Sequence, residues 1–241
     1  MRQAGSEPAA AAILDEALKR QPNSATVHFR KANAAMDAKR NDEALAEFAR
    51  AVALDPDYWR AHLAIATIRF AAGDMAAAAA AARAALAREP GALDAMRILA
   101  QALHALHQDD EVTQAFETRL LQAPDDLAVR AELILILQSL GRRDAVEQQL
   151  KEVAQRHAAD PHGWRVILDA RLADGAAAQL ARAAQEALAA CPDDPDVLVR
   201  CVRAEMRLER RVDVARALLE RVLKRDPQHE EALELRAKLP R

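Results

Sequence analysis

The sequence predicts an all-α solenoid, a stack of antiparallel helix pairs, and three observations support this fold class. Prolines recur at intervals of 34 residues, at Pro22, Pro56, Pro90 and Pro124. Between them, small and apolar residues recur with helical spacing. The chain is 51% hydrophobic but only 3% aromatic, with much of its apolar content as alanine, which suits tight helix stacking. A fixed period of this length is typical of units that bury their apolar faces only by stacking.

The period divides one predicted domain, residues 1–241, into six full repeats. Ala158 occupies the next proline position, Pro192 follows after two periods, and Pro227 follows after one additional residue. The additional residue therefore lies in the last repeat, near Arg210. The predicted repeats are 25–58, 59–92, 93–126, 127–160, 161–194 and 195–229.

Partial units are predicted at both ends of this array. Residues 7–22 have the pattern of a second helix from an earlier unit, because Ala10, Leu14 and Ala17 repeat its spacing. Residues 230–239 have the pattern of a first helix from a later unit. We therefore expect residues 230–241 to form a C-terminal capping helix.

Each full repeat predicts two helices with small residues at their contact. In the first repeat, Ala44, Phe48 and Ala51 lie four and then three positions apart on one face of the second helix. Small contact residues allow two helices to approach closely.

Glycines and prolines mark the turns of the predicted solenoid. Gly73, Gly141 and Gly175 lie between the two helices of their repeats, where a chain reversal often needs positive φ. The prolines lie between repeats, where they end one helix and allow the next to begin.

These residues resemble the tetratricopeptide repeat family, whose pattern is W-x2-L-G-x2-Y, then A-x3-F, then P. The fifth repeat is similar to it through Trp164, Gly175, Ala187 and Pro192. The resemblance covers almost the whole chain and implies a right-handed solenoid of 34-residue units. It also implies a concave groove that is lined by the first helices and holds a protein partner.

Composition limits the other function classes. A net charge of −3 and an isoelectric point near 6.2 argue against a general nucleic-acid binder. The sequence lacks a membrane-spanning apolar run and a secretory signal, so we expect no membrane insertion. Two cysteines, Cys191 and Cys201, are too few for a disulfide framework. We expect packed free thiols and a cytoplasmic location.

No motif in the sequence predicts catalysis. The chain lacks a Gly-rich phosphate loop, G-x-S-x-G and H-E-x-x-H, so we predict no enzyme and no cofactor. Two groups of potential metal ligands occur, His104, His107, Asp109 and Asp110, and then His157, Asp160 and His162. Solvated side chains at turns explain both groups better than a metal does.

The resemblance places certain first-helix residues in the groove, and we take these as candidate partner-binding residues. They are Phe29, Asn33, Met36, Arg60, Leu63, Thr67, Phe70, Arg97, Gln101, His104, Arg165, Asp169, Arg200, Arg203 and Arg207. The N-terminal part of this set is apolar with amide and hydroxyl groups. In the C-terminal part, three arginines recur at i, i+3 and i+7, and arginine suits carboxylate recognition.

Three functions follow as alternatives. The first is a non-catalytic scaffold that binds an extended or helical peptide, with an acidic stretch near Arg203. Inward-facing acids such as Asp169 and Asp196 allow a competing interpretation, in which the arginines pair internally. The second is a self-associating scaffold, because the N-terminal helix exposes Ile13 and Leu14. The third is the adaptor region of a larger enzyme-containing polypeptide.

Overall fold

A computed structural model of the chain describes residues 7–174, 176–208 and 211–240, with side chains from residue 13 onward. These residues form helices joined by short turns and contain no strand, so the all-α prediction is confirmed. The helices are α1 (Glu7–Arg20), α2 (Ala25–Asp37), α3 (Asn41–Leu54), α4 (Trp59–Ala71), α5 (Met75–Arg88), α6 (Leu93–Ala105), α7 (Asp109–Gln122), α8 (Leu127–Ser139), α9 (Arg143–Arg156), α10 (Pro161–Asp174), α11 (Ala177–Ala190), α12 (Pro195–Arg207), α13 (Val212–Arg225) and α14 (Glu230–Lys238).

The chain divides into two compact units, Met1–Gln122 and Ala123–Arg241. The first unit contains α1 followed by the helix pairs α2–α3, α4–α5 and α6–α7. The second unit contains the pairs α8–α9, α10–α11 and α12–α13 followed by α14. In each unit, every helix packs against the helix that follows it.

The helix starts repeat along the chain. The first helices of the six pairs begin 34 residues apart, at Ala25, Trp59, Leu93, Leu127, Pro161 and Pro195. The second helix begins 16 residues after the first in five pairs, but 17 residues after it in α12–α13. The additional residue therefore lies between Arg207 and Val212. Its predicted position, near Arg210, is outside the described residues.

The turns inside α2–α3, α4–α5, α6–α7 and α8–α9 each use a left-handed residue, whether or not that residue is glycine. Gly73 and Gly141 have φ of 80° and 68°, as the turn-glycine prediction requires. Lys39 and His107 occupy the equivalent positions in α2–α3 and α6–α7, each with φ of 59°. Gly175, the third predicted turn glycine, is outside the described residues.

Buried apolar residues, many of them alanine, lie where the helices meet. Ala44, Phe48 and Ala51 are fully buried in the first unit, and Leu180 and Ala187 are fully buried in the second. Alanine at these points permits close approach of the helices, so each pair packs as one layer of its unit.

A recurring hydrogen bond ties the loop before a pair to the pair's first helix. The donor is a side-chain N–H on the fourth residue of the first helix, and the acceptor is the carbonyl six residues earlier. The four bonds are His28 Nε2 to Pro22 at 3.0 Å, His62 Nε2 to Pro56 at 3.2 Å, Arg130 Nη2 to Pro124 at 2.7 Å and Trp164 Nε1 to Ala158 at 2.8 Å. Because a carbonyl only accepts, both histidines carry hydrogen on Nε2 in this arrangement.

Two of these donors have a second partner on the second helix of their pair. His28 Nδ1 lies 2.6 Å from Glu47 Oε2, and both side chains are buried. Arg130 Nη1 donates to Gln149 Oε1 at 2.6 Å. Arg130 is only 4% exposed, and burial lowers the pKa of its guanidinium. In α2–α3 the donor His28 thus has a carboxylate as its second partner. In α8–α9 the buried guanidinium of Arg130 has a neutral amide acceptor instead.

Gln149→Glu should raise the free energy of unfolding by about 1 kcal/mol, because a carboxylate is a stronger acceptor for the buried guanidinium. Urea unfolding of wild type and variant measures the change. The control repeats the substitution in an Arg130→Met background, where the gain should vanish. An equal gain in both backgrounds would contradict the pairing.

The two cysteines are free and buried, as the packed-thiol prediction states. The Cys201 thiol donates to the carbonyl of Ala184 at 3.6 Å. Burial, with a smaller contribution from Glu205, raises the pKa of Cys201 from 9.0 to about 12. The folded state therefore retains this proton above pH 9, where the unfolded chain releases it.

This linkage predicts a loss of stability at alkaline pH that depends on Cys201. The stabilisation of the folded state by the protonated Cys201 thiol is complete below pH 9 and decreases as the pH rises toward 12. Between pH 7 and pH 10, wild type should lose about 1.4 kcal/mol of unfolding free energy more than Cys201→Ala. Denaturant unfolding at both pH values gives the difference, and equal losses would show that the thiol does not contribute.

Candidate partner-binding faces

The helix bounds place the candidate residues at recurring positions of the first helices. Counted from each helix's first residue, they occupy positions 2, 5, 6, 9, 12 and 13, which share one side of a helix. We call the set on α2, α4 and α6 the unit-1 face, and the set on α10 and α12 the unit-2 face.

Aromatic packing forms one end of the unit-1 face. The Phe29 ring lies 5.4 Å from that of Phe48 and 4.9 Å from that of Tyr58, measured between centroids. Met36 packs against the same core, and Asn33 is half-buried beside it. These side chains are therefore held by the fold, with part of their surface accessible.

The middle of the unit-1 face mixes apolar and polar groups. Leu63 packs against a buried alanine cluster, and Phe70 is half-buried. The Thr67 hydroxyl is exposed and donates to the carbonyl of Leu63 at 2.9 Å. The Arg60 guanidinium lies 4.6 Å from the centroid of the Trp59 ring, a cation–π contact.

The α6 part of the unit-1 face is polar. Arg97 Nη1 lies 3.5 Å from Asp94 Oδ1, and Gln101 is exposed. His104 Nδ1 lies 2.6 Å from Asp109 Oδ1, which ties the end of α6 to the start of α7. The candidate His104 therefore has a structural partner.

Ion pairs between neighbouring first helices cross the unit-2 face. Arg165 Nη1 lies 2.7 Å from Asp196 Oδ2. Arg200 Nε donates to both carboxylate oxygens of Asp169 at 2.9 Å, and its Nη1 donates to the Asp196 carbonyl at 3.1 Å. The Arg165–Asp196 and Arg200–Asp169 contacts join α10 to α12.

The same pattern continues from α12 to α14. Arg203 Nη2 lies 2.7 Å from Glu231 Oε1. Arg207 is exposed and forms no ion pair with the described part of the chain. Thus three of the four arginines on the unit-2 face have carboxylate partners on an adjacent first helix.

One exposed apolar residue was missing from the predicted set. Leu135 is 57% exposed and is the ninth residue of α8, the position that Asn33, Thr67 and Asp169 occupy in other first helices. The register that selected those residues also selects Leu135.

The second-helix side of the first unit has a groove that the sequence did not predict. It lies between α5 and α7, with a volume of 560 Å³, and its floor includes Leu86, Met96 and Leu99. The second unit has a 280 Å³ cavity at the same register between α9 and α11. There Trp164 takes the position of Met96, so a larger side chain occupies the floor.

The histidine clusters have ordinary hydrogen-bond partners. The backbone N–H of His162 donates to Asp160 Oδ1 at 2.9 Å, and this bond lowers the pKa of Asp160. His157 Nδ1 lies 3.7 Å from the same carboxylate. Within the described ranges, no three potential ligands are arranged to hold a metal ion, and no helix is long and apolar enough to cross a membrane.

A comparison with known families identifies the repeats in the first half of the chain. A family model described as tetratricopeptide repeat matches residues 2–59 and 63–118. No curated protein matches the sequence.

Solved structures share the fold at low sequence identity. The C-terminal part of a TPR repeat-containing protein from Cytophaga hutchinsonii is 15% identical, with a TM-score of 0.62 over 95% of this chain and 94% of that chain. PilW, a widely conserved type IV pilus biogenesis factor, is 16% identical, with a TM-score of 0.52 over 88% of this chain and 97% of its own. MamA is 21% identical, with a TM-score of 0.51 over 64% and 91% of the two chains.

Arg200→Gln should lower the free energy of unfolding by about 1 kcal/mol, because it removes charge-assisted bonds to Asp169 and a bond to the Asp196 carbonyl. Arg207→Gln removes the same charge from an exposed position and should change stability by less than about 0.5 kcal/mol. Thermal and urea unfolding compare the two variants. If Arg200→Gln and Arg207→Gln destabilise the protein equally, the ion pair between α10 and α12 does not stabilise the fold.

Proposed function

Because residues 2–59 and 63–118 match the tetratricopeptide repeat family, we propose that this chain is a non-catalytic scaffold whose first helices bind an extended or helical segment of a partner protein. The observation that carries the proposal is the composition of the unit-1 face. Half-buried Phe29, Leu63 and Phe70 lie in the same register as exposed Thr67 and Gln101. Such a face offers apolar contact area and hydrogen-bonding groups that set the position of a bound chain.

The partner segment binds the unit-1 face mainly through apolar side chains. Phe29 and Leu63 already pack on their own core, so they are fixed before binding and lose little entropy when a ligand arrives. Thr67 uses its hydrogen for the Leu63 carbonyl, so its hydroxyl oxygen remains an acceptor for a partner N–H.

An acidic segment is the less favoured ligand of the unit-2 face. A carboxylate at Arg203 or Arg200 would have to displace Glu231 or Asp169. Arg207 is the arginine of this face that a partner carboxylate can reach without such exchange. We therefore place the main affinity on the unit-1 face and a salt-sensitive contribution at Arg207.

The test compares two double variants of equal charge. Thr67→Glu with Gln101→Glu places two carboxylates on the unit-1 face at exposed positions. Ala46→Glu with Ala80→Glu places two carboxylates on exposed positions of second helices. Affinity capture from native lysate, with quantitative mass spectrometry and then titration of the captured protein, measures binding.

We expect the face variant to bind its partner at least about tenfold more weakly, since unpaired charge next to apolar contacts is costly. The control variant should bind as wild type does. Circular dichroism and thermal unfolding show that both variants are folded. If only the control variant loses the partner, or if both variants retain it, the partner binds elsewhere.

A further inference from the structure

One ion pair recurs in alternate helix pairs. It joins the last residue of the second helix to the residue two positions before the first helix of the same pair. The examples are Arg88 Nε to Asp57 Oδ1 at 2.5 Å in α4–α5, Arg156 Nη1 to Asp125 Oδ1 at 3.1 Å in α8–α9, and Arg225 Nη2 to Asp193 Oδ2 at 3.9 Å in α12–α13. We call this contact the end clamp.

Neighbouring bonds support two of the three end clamps. Arg225 also donates to the carbonyl of Asp193, and Arg221 donates to the carbonyl of Pro192. Arg156 also donates to Glu152 at 2.9 Å, and Glu152 and then Asp125 raise the pKa of its guanidinium. The clamp therefore holds the C-terminal turn of a second helix against the loop that enters the pair.

The other three pairs cannot form the end clamp. Their residues at the two positions are Asn23 and Leu54 in α2–α3, Gly91 and Gln122 in α6–α7, and Ala159 and Ala190 in α10–α11. None of these combinations contains two opposite charges. The clamp thus recurs with a period of two repeats.

We propose that the chain is built from two-repeat modules, in which a helix pair with an end clamp alternates with a pair that opens more readily at the end of its second helix. The last turn of a helix lacks intrahelical partners for its carbonyls and frays first. An arginine that bonds the entering loop limits this fraying. Because each repeat contacts only its neighbours, the alternation gives the solenoid regularly spaced compliant pairs.

The test installs an end clamp in a pair that lacks one. Ala159 and Ala190 are both exposed, so Ala159→Asp and Ala190→Arg introduce the two charges without displacing core residues. Hydrogen–deuterium exchange of the full chain, read at residues 187–190, compares wild type, both single variants and the double variant. The single variants correct for each charge's interaction with the nearby helix ends.

The double variant should slow exchange at residues 187–190 by about 1.5-fold to fivefold beyond the product of the single effects, the range of an exposed ion pair. The reverse experiment removes a natural clamp with Asp125→Asn, which should speed exchange at residues 153–156 and leave residues 187–190 unchanged. The proposal is wrong if the exchange rate of the double variant equals the product of the single effects. It is also wrong if Asp125→Asn leaves exchange in α9 unchanged.

Discussion

The structure depends on the close approach of helices at alanine contacts. A pair such as α2–α3 meets at fully buried Ala32, Ala44 and Ala51, with Phe48 filling the space beside them. Alanine permits this approach but buries little apolar area, and burial stabilises by only about 25 cal/mol per Å². Each layer therefore contributes modestly, and polar contacts at the layer edges matter more than they would around a core of large side chains. The side-chain bonds to loop carbonyls supply such contacts, because each one ties the loop that enters a pair to the first helix of that pair.

Ion pairs between neighbouring helices balance much of the charge on the unit-2 face. Neighbouring first helices in the second unit lie close enough for Arg200 to reach Asp169 and for Arg203 to reach Glu231. These ion pairs link neighbouring helix pairs, so they help to set the distance between them. They also neutralise charge on the unit-2 face. A surface that resembles a cationic stripe in sequence is thus mostly balanced, while the first unit has a face with accessible apolar groups.

Periodicity made the helices predictable, whereas contacts between distant residues were not. The 34-residue spacing predicts helix positions and the turn glycines Gly73 and Gly141, because those features are local. Spacing also predicts that Arg200 and Arg203 share a face. Their partners lie on other helices, so the sequence left internal pairing and ligand binding as alternatives. The carbonyl bond of His28 or Arg130 depends on loop orientation, which no residue pattern specifies. Leu135 could have been found, since its register position was known.

The left-handed turns have a consequence for the order of folding. Gly73 and Gly141 enter positive φ at little cost, whereas Lys39 and His107 pay roughly 1 kcal/mol for the same conformation. Closing a helical hairpin is therefore easier for α4–α5 and α8–α9, whose turns favour the required geometry before the helices touch. In α2–α3 and α6–α7, docking of the helices must impose the turn. Because folding of a repeat array can nucleate at any unit and propagate outward, this difference favours nucleation at α4–α5 or α8–α9 over nucleation at α2–α3 or α6–α7.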